Sequence, residues 1–149
     1  MNFQSPLQNR INNQIGRTTA IDPKARRLFD RALRAGTSKR RNTANALPNI
    51  SDETRMSQHY LGAQAVDVMA IGGSVNKSND FDIHFNPLSD HIEQRWSKVA
   101  TAMMNGIDLP PIELILVKGT YYVVDGHHRI SVARMLGMRY LDAFVTVSE

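Results

Sequence analysis

The sequence predicts a mixed α+β fold. One observation is an amphipathic helix with both ends marked, over residues 22–36. A second is the apolar run 112–117, which Lys118-Gly119 folds back into a further run at 121–124. The third is the switch from strand-like to helix-like spacing at His127. Length and composition agree, since 149 residues, 42% of them hydrophobic and 21% charged, suit one modest domain with an appended arm. Cysteine is absent, which excludes disulfides, thiolate metal sites and cysteine nucleophiles. No apolar run reaches the ~20 residues of a membrane-spanning helix, and residues 1–5 lack the charged and apolar regions of a secretory signal. A cytoplasmic protein without membrane contact is the expectation.

In chain order, residues 1–20 are rich in Asn, Gln, Arg and Thr and read as a flexible lead-in. Asp22 then caps a helix, Pro23 suits its first position and Gly36 its left-handed stop. Ala25, Leu28, Phe29, Ala32 and Leu33 recur on one face; Arg27, Arg31 and Arg34 share a flank, followed by Lys39, Arg40 and Arg41. Residues 36–50, polar and containing Pro48, read as a linker. A second, weaker helix is expected from Ser51 to about Leu61, then a short strand over residues 64–69 that Gly72-Gly73-Ser74 ends. Residues 76–89 have no clean period and read as a long loop.

A helix follows from Asp90, with Glu93 completing a capping box, Ile92, Trp96, Val99, Ala100 and Met103 on its buried face and Gly106 as its stop. Trp96 belongs to the core on this pattern. Pro110-Pro111 launches a central strand over residues 112–117, Lys118-Gly119 turns it into a hairpin, a helix spans 127–136 up to Gly137, and a last strand covers 142–147.

Charge is uneven. Residues 1–60 hold eleven Lys/Arg against four Asp/Glu, and residues 61–149 hold seven against ten. The division expected is a basic, partly flexible helical arm over 1–62 and a compact domain over 63–149. Such an arm meets DNA, RNA or an acidic protein through Arg27, Arg31, Arg34, Lys39, Arg40 and Arg41, or serves only solubility.

The sharpest chemical signal is Val123-Val124-Asp125-Gly126-His127-His128-Arg129-Ile130. A strand ends in Asp-Gly and a helix opens at once. Gly126 keeps side chains out of the way, the first helical turn offers free N–H groups and the positive dipole end, and Arg129 adds a forked donor. Gly126, His127, His128 and Arg129 are therefore candidate phosphate ligands. Asp125 can orient a histidine or help ligate a metal. The alternative is an ordinary Asp-Gly turn with Asp125 as a helix cap.

Glu113 is either a catalytic base near this corner or a solvent-facing strand residue. Asp80, Asp82 and His84 alternate, so an extended backbone would aim all three at one divalent cation such as Mg2+. The alternative there is a polar loop packed down by Phe81 and Phe85. Lys77 beside them is a further candidate for phosphate contact. His59 and His91 belong to no visible constellation.

Residues from about 64 to 147 resemble the ParB/sulfiredoxin-like superfamily, whose members share a compact mixed sheet with packed helices. Its hallmark is a strand-to-helix corner reading Gly-x-x-Arg: Gly-Glu-Arg-Arg in partition proteins, Gly-Cys-His-Arg in sulfiredoxins. Gly126-His127-His128-Arg129 occupies that corner, preceded by the Pro-Ile-x-Leu strand at 111–114; Tyr122-Val123-Val124-Asp125 and Ala133-Arg134-Met135-Leu136-Gly137 also fit. Gly73-Ser74-Val75, Asp80-Phe81-Asp82, Arg95-Trp96 and Leu109-Pro110-Pro111 look like uncharacterised bacterial ParB-like proteins.

The resemblance implies a nucleoside triphosphate lying against Gly126, His127, His128 and Arg129. In the partition branch this is CTP, and the protein clamps DNA; sulfiredoxins use ATP on a sulfinic acid, and another branch phosphorylates free serine. His127 replaces the sulfiredoxin cysteine, the partition-type Glu is missing, and the chain ends twelve residues after Gly137 with no helix-turn-helix following. The expectation is a nucleotide-binding ParB-like protein whose association with nucleic acid or another partner is controlled by ligand. The oligomeric state stays open, a homodimer included. The rival is a phosphotransferase or phosphohydrolase using Asp125, His127 and Glu113, with Asp80 as a further carboxylate. Nuclease chemistry is not expected, since no two-metal carboxylate set is visible.

Overall fold

In the computed structural model, the residues described are 20–38, 45–50, 57–76 and 78–149. The elements are α1 (Pro23–Thr37), β1 (Gln58–Asp67), β2 (Ile71–Ser74), α2 (Glu93–Met104), β3 (Ile112–Val117), β4 (Thr120–Asp125), α3 (His127–Met135) and β5 (Tyr140–Ser148). Short 3-10 turns at Val68–Ala70 and Asp90–Ile92 precede β2 and α2. The fold is mixed α+β. Its five strands form one sheet in the order β1-β5-β3-β4-β2, antiparallel at β1/β5 and β3/β4, parallel at β5/β3 and β4/β2. Among the described residues no helix is long and apolar enough to cross a membrane.

The hairpin Ile112–Asp125 forms because Lys118 and Gly119 both take positive φ, 49° and 82°, which matches the strands' twist. The three helices bury their apolar stripes in one core. Trp96 is fully buried, packs edge-on against Phe29 at 5.4 Å and donates its indole N–H to Ser131 Oγ at 2.8 Å. Ala25, Phe29 and Ala32 are equally buried, so α1 is a layer of this core rather than an isolated rod. The N–H of Asp22 donates to Thr101 Oγ1 of α2 at 3.0 Å and ties the two helices further.

Several expectations are corrected here. Residues 58–61 are strand, not the end of a helix: β1 runs through position 62 and pairs with β5 from Gln58↔Ser148 to Asp67↔Tyr140. Long-range pairing overrides the weak local helical spacing. Residues 51–56, the rest of that expected helix, lie outside the described residues. Gly72-Gly73-Ser74 does not end a strand but forms β2 beside β4, where the ring of Tyr122 would lie 2.7 Å from any Cβ at Gly73. Part of the expected linker is built into the fold, because Leu47 is buried, Ala46 bridges Asp82 and Asn49 bridges Ser74. Gly36 is no left-handed stop. It lies inside α1, and a Cβ there would meet the Pro87 carbonyl oxygen at 2.2 Å, so it serves close packing. The turn ahead of α2 is capped by Ser89, whose Oγ accepts from the N–H of His91, instead of by Asp90.

Candidate functional site

Strand β4 is half-buried at its end and delivers Asp125 and Gly126 to the start of α3. Gly126 has φ +119°, and a Cβ there would lie 2.5 Å from Ile112 Cγ2 and 3.3 Å from Arg129 Nη2. Both the backbone angle and the space demand glycine. No side chain caps α3, so its first N–H groups carry the partial positive charge of an open helix end. That end borders a cleft of about 240 Å³ between β4, α2 and the segment after β2, lined among others by Asn76, Ser78, Asp80, Arg95, Asp125 and the two histidines.

His127 and His128 are held differently. The Nε2 of His127 and the Oγ of Ser74 share a hydrogen bond of 2.8 Å, and its ring stacks on Phe81 at 6.2 Å. Burial pushes its pKa below the ordinary value, with Asp125 and Asp80 opposing. His128 meets Phe81 edge-on at 5.2 Å, and its buried Nε2 has no partner among the described residues. Burial, helped by Arg95, His127 and Arg129, pushes its pKa down to about 3. Both rings are thus neutral at pH 7, which suits hydrogen bonding better than charge neutralisation.

Arg129 is buried. One end of its guanidinium donates to the Pro110 carbonyl, and Nη2 donates to Asp125 Oδ2 at 3.2 Å. Burial lowers its pKa while Asp125 and Glu113 oppose that, and a guanidinium stays protonated throughout the physiological range. It forms a wall of the cleft and also of a second hollow, about 290 Å³, bounded by Ile107, Leu109, Met138 and Tyr140. Its first duty is therefore to hold Asp125 and the Pro110 loop around the corner. Glu113 stands opposite Asp125 across the β3/β4 pair and is half-buried. Burial and then Asp125 raise its pKa, partly offset by Arg129.

The expected cation cluster does not assemble. Asp82 is buried with Oδ1 accepting from the N–H groups of His84 and Asn86, both at 2.9 Å, and Oδ2 accepting from the Asn86 amide at 3.2 Å. The backbone turns here, with Phe85 at φ 59°, instead of running extended, so Asp80, Asp82 and His84 do not share a direction. Asp80 alone reaches the cleft, where it pairs with His91 Nε2 at 3.0 Å. Among the described residues no group of three His, Cys, Asp or Glu is placed to hold a metal ion.

Arg27, Arg31 and Arg34 are exposed on α1, opposite its buried stripe, and Arg34 Nε donates to the Asp30 carbonyl. Lys39, Arg40, Arg41 and Lys77 lie outside the described residues. His59 is exposed on β1. Two participants escape sequence reasoning. Ser74 lies 53 positions from its histidine, and only the β2/β4 pairing brings them together. Arg95 is an exposed cation beside Trp96; burial of that neighbour turns the adjacent position toward the cleft.

Set against protein-family models, curated proteins and solved structures, the chain matches none. The site rests on its own geometry.

Proposed function

We propose that this is a nucleotide-binding protein of the ParB/sulfiredoxin-like kind, whose α3 corner holds a phosphate group of CTP or ATP. The carrying observation is the uncapped N-terminus of α3, opened by Gly126 into a polar cleft that also contains Arg95. The Gly-x-x-Arg spacing of Gly126–Arg129 and the mixed sheet around it support the family reading. Here the arginine acts from behind: it fixes Asp125 and the Pro110 loop while the helix end faces the ligand. The neutral rings of His127 and His128 supply hydrogen-bonding groups without adding charge.

The exposed arginines of α1 give this cytoplasmic protein a basic surface for DNA or RNA, and ligand in the cleft controls that association. Because α1 packs on α2, which also carries Arg95, one helix connects the two functions. The rival phosphotransferase reading needs a free base beside the ligand. Asp125 is paired with Arg129, His127 is tied to Ser74, and Glu113 stands on β3 outside the residues that line the cleft, so binding is favoured over turnover.

The test is a panel of CTP, ATP and GTP, with and without Mg2+, read by melting temperature and phosphate release. At least one nucleotide raises the melting temperature and none is hydrolysed. No shift with any of them refutes the reading, and release that Asp125→Ala abolishes establishes the enzyme instead. Replacing Arg27, Arg31 and Arg34 together by Ala weakens nucleic-acid binding and flattens its salt dependence by up to about three in slope. An unchanged slope removes α1 from the interface.

A further inference from the structure

We infer that the free edge of β1 pairs antiparallel with the same edge of a second copy of this chain, Ala63 of one opposite Ala65 of the other. The two five-stranded sheets then run on into one. The inference stands apart from the cleft at α3 and from any ligand there.

The sheet has two edge strands, β1 and β2, and they are finished differently. Along β2, the N–H of Ser74 donates to the Pro48 carbonyl at 2.8 Å, and the Ser74 carbonyl accepts from the N–H of Ile50 at 3.1 Å. That edge is covered. By contrast β1, ten residues long, pairs with β5 on one side, and no described residue bonds to its outer side.

Two contacts show which backbone groups face outward. Ser57 and Glu149 exchange both N–H···O bonds, and the N–H of Val68 donates to the Arg139 carbonyl at 2.8 Å, so Ser57 and Val68 both face β5. Facing alternates along a strand, and the extra residue at the bulge between Tyr60 and Gly62 reconciles the odd position with the even one. Gly62, Gln64 and Val66 therefore bond toward β5, while Ala63, Ala65 and Asp67 present N–H and C=O groups outward. Exposed edges are usually blunted by charged residues, Pro or a bulge. Residues 58–66 contain no Lys, Arg, Asp, Glu or Pro, and the bulge leaves 62–67 regular. Asp67 spends its carboxylate on Arg139 at 3.1 Å and on the N–H of Met69 at 2.9 Å.

Symmetry selects a second copy as the occupant. The large apolar side chains exposed among the described residues are Tyr60, Leu61, Met69, Met138 and Tyr140. They form two groups at opposite ends of β1: Tyr60 and Leu61 near its start, and the other three around its last residue, Asp67, which pairs with Tyr140. A two-fold axis through Gln64 sets position 67 of one copy opposite position 61 of the other, so each copy's first group meets the other's second. The backbone agrees, because the same axis sets Ala63 opposite Ala65, both outward, in pairs that exchange both hydrogen bonds. The β1/β5 register places Tyr60, Ala63, Ala65 and Tyr140 on one face of the sheet, so the tyrosines of the two copies approach from the same side. No like charges stand opposite one another in this pairing.

Pairing over residues 62–67 makes a small interface, so a dissociation constant of about 1–100 μM is expected. The experiment is sedimentation equilibrium of the full chain across that range, for the wild type and two double variants. The wild type passes from monomer to dimer. Ala63→Lys with Ala65→Lys sets like charges opposite each other twice and weakens the dimer about tenfold or more. Ala63→Glu with Ala65→Lys sets opposite charges across the same two pairs and restores it. Both positions are exposed, so the variants fold, and melting temperatures equal to that of the dilute wild type verify this. A wild type that stays monomeric throughout overturns the inference, and its capture of an unrelated extended peptide at this edge would give the strand to another partner. A dimer that the two lysines leave unchanged has its interface elsewhere and also overturns it. Failure of the Glu and Lys combination to dimerise better than the two lysines overturns the pairing of Ala63 with Ala65.

Discussion

Helices α1 and α3 begin in opposite ways. At α1 the carboxylate of Asp22 accepts the N–H of Lys24 at 2.8 Å, and Pro23 has no N–H to satisfy. At α3 the cap position is Gly126, no side chain closes the end, and the residues that follow are two histidines and an arginine. Both ends share the same backbone physics, yet one is closed by its own sequence and the other faces a cleft. A capped end contributes stability; an open one gives up that contribution and keeps donors for something else. The positions of Asp22 and Gly126 thus mark which helix end is closed by a side chain and which is left open to the cleft.

The largest expected effect comes from the rings at the open end. His128 is held neutral in the fold, its pKa at about 3 against an ordinary 6.5. Its contribution is therefore complete above pH 6.5 and is lost as pH falls toward 3, on the order of 1.4 kcal/mol for each pH unit. His127 acts in the same direction. Urea denaturation between about pH 7 and about pH 4 shows the wild type losing stability steeply, and His128→Leu flattens the slope. Parallel slopes in the two proteins would show that this ring is not kept neutral.

Next comes Gly126→Ala, which forces a Cβ to within 2.5 Å of Ile112 at a φ of +119°. It costs about 2–4 kcal/mol by denaturant midpoint and removes phosphate affinity with it. The smallest effect is that of Asp22→Ala at the closed end: about 1 kcal/mol of stability, with phosphate affinity unchanged. If Asp22→Ala altered phosphate binding as much as Gly126→Ala, the contrast between the two helix ends would be void.

Much of the fold is legible in the sequence because it is punctuated locally. Asp22-Pro23 starts α1, Lys118-Gly119 turns the hairpin, and Gly106 and Gly137 take the left-handed conformation just beyond α2 and α3. What was illegible depends on partners far away in the chain. Gln58–Leu61 lack apolar alternation and become strand only beside β5, and Ile71-Gly72-Gly73-Ser74 has the composition of a turn yet lies along β4. The site divides the same way. The open corner follows from Asp125-Gly126-His127-His128 alone. Asp82 could be placed only by the turn at Phe85, Ser74 by the β2/β4 pairing, and Arg95 by the burial of Trp96. Sequence spacing predicts what a helix end offers, and tertiary pairing decides which side chains come to meet it.

Strand β5 is the last of the five along the chain, yet it lies between β1 and β3. The sheet cannot close until residue 148 has left the ribosome, and during synthesis β1 waits with both of its lateral edges unsatisfied. The Tyr60 and Leu61 side chains, still more than half exposed in the finished protein, spend that interval on an unpaired strand. Shortening the chain before residue 140 therefore strips β1 of its partner as surely as deleting β1 itself.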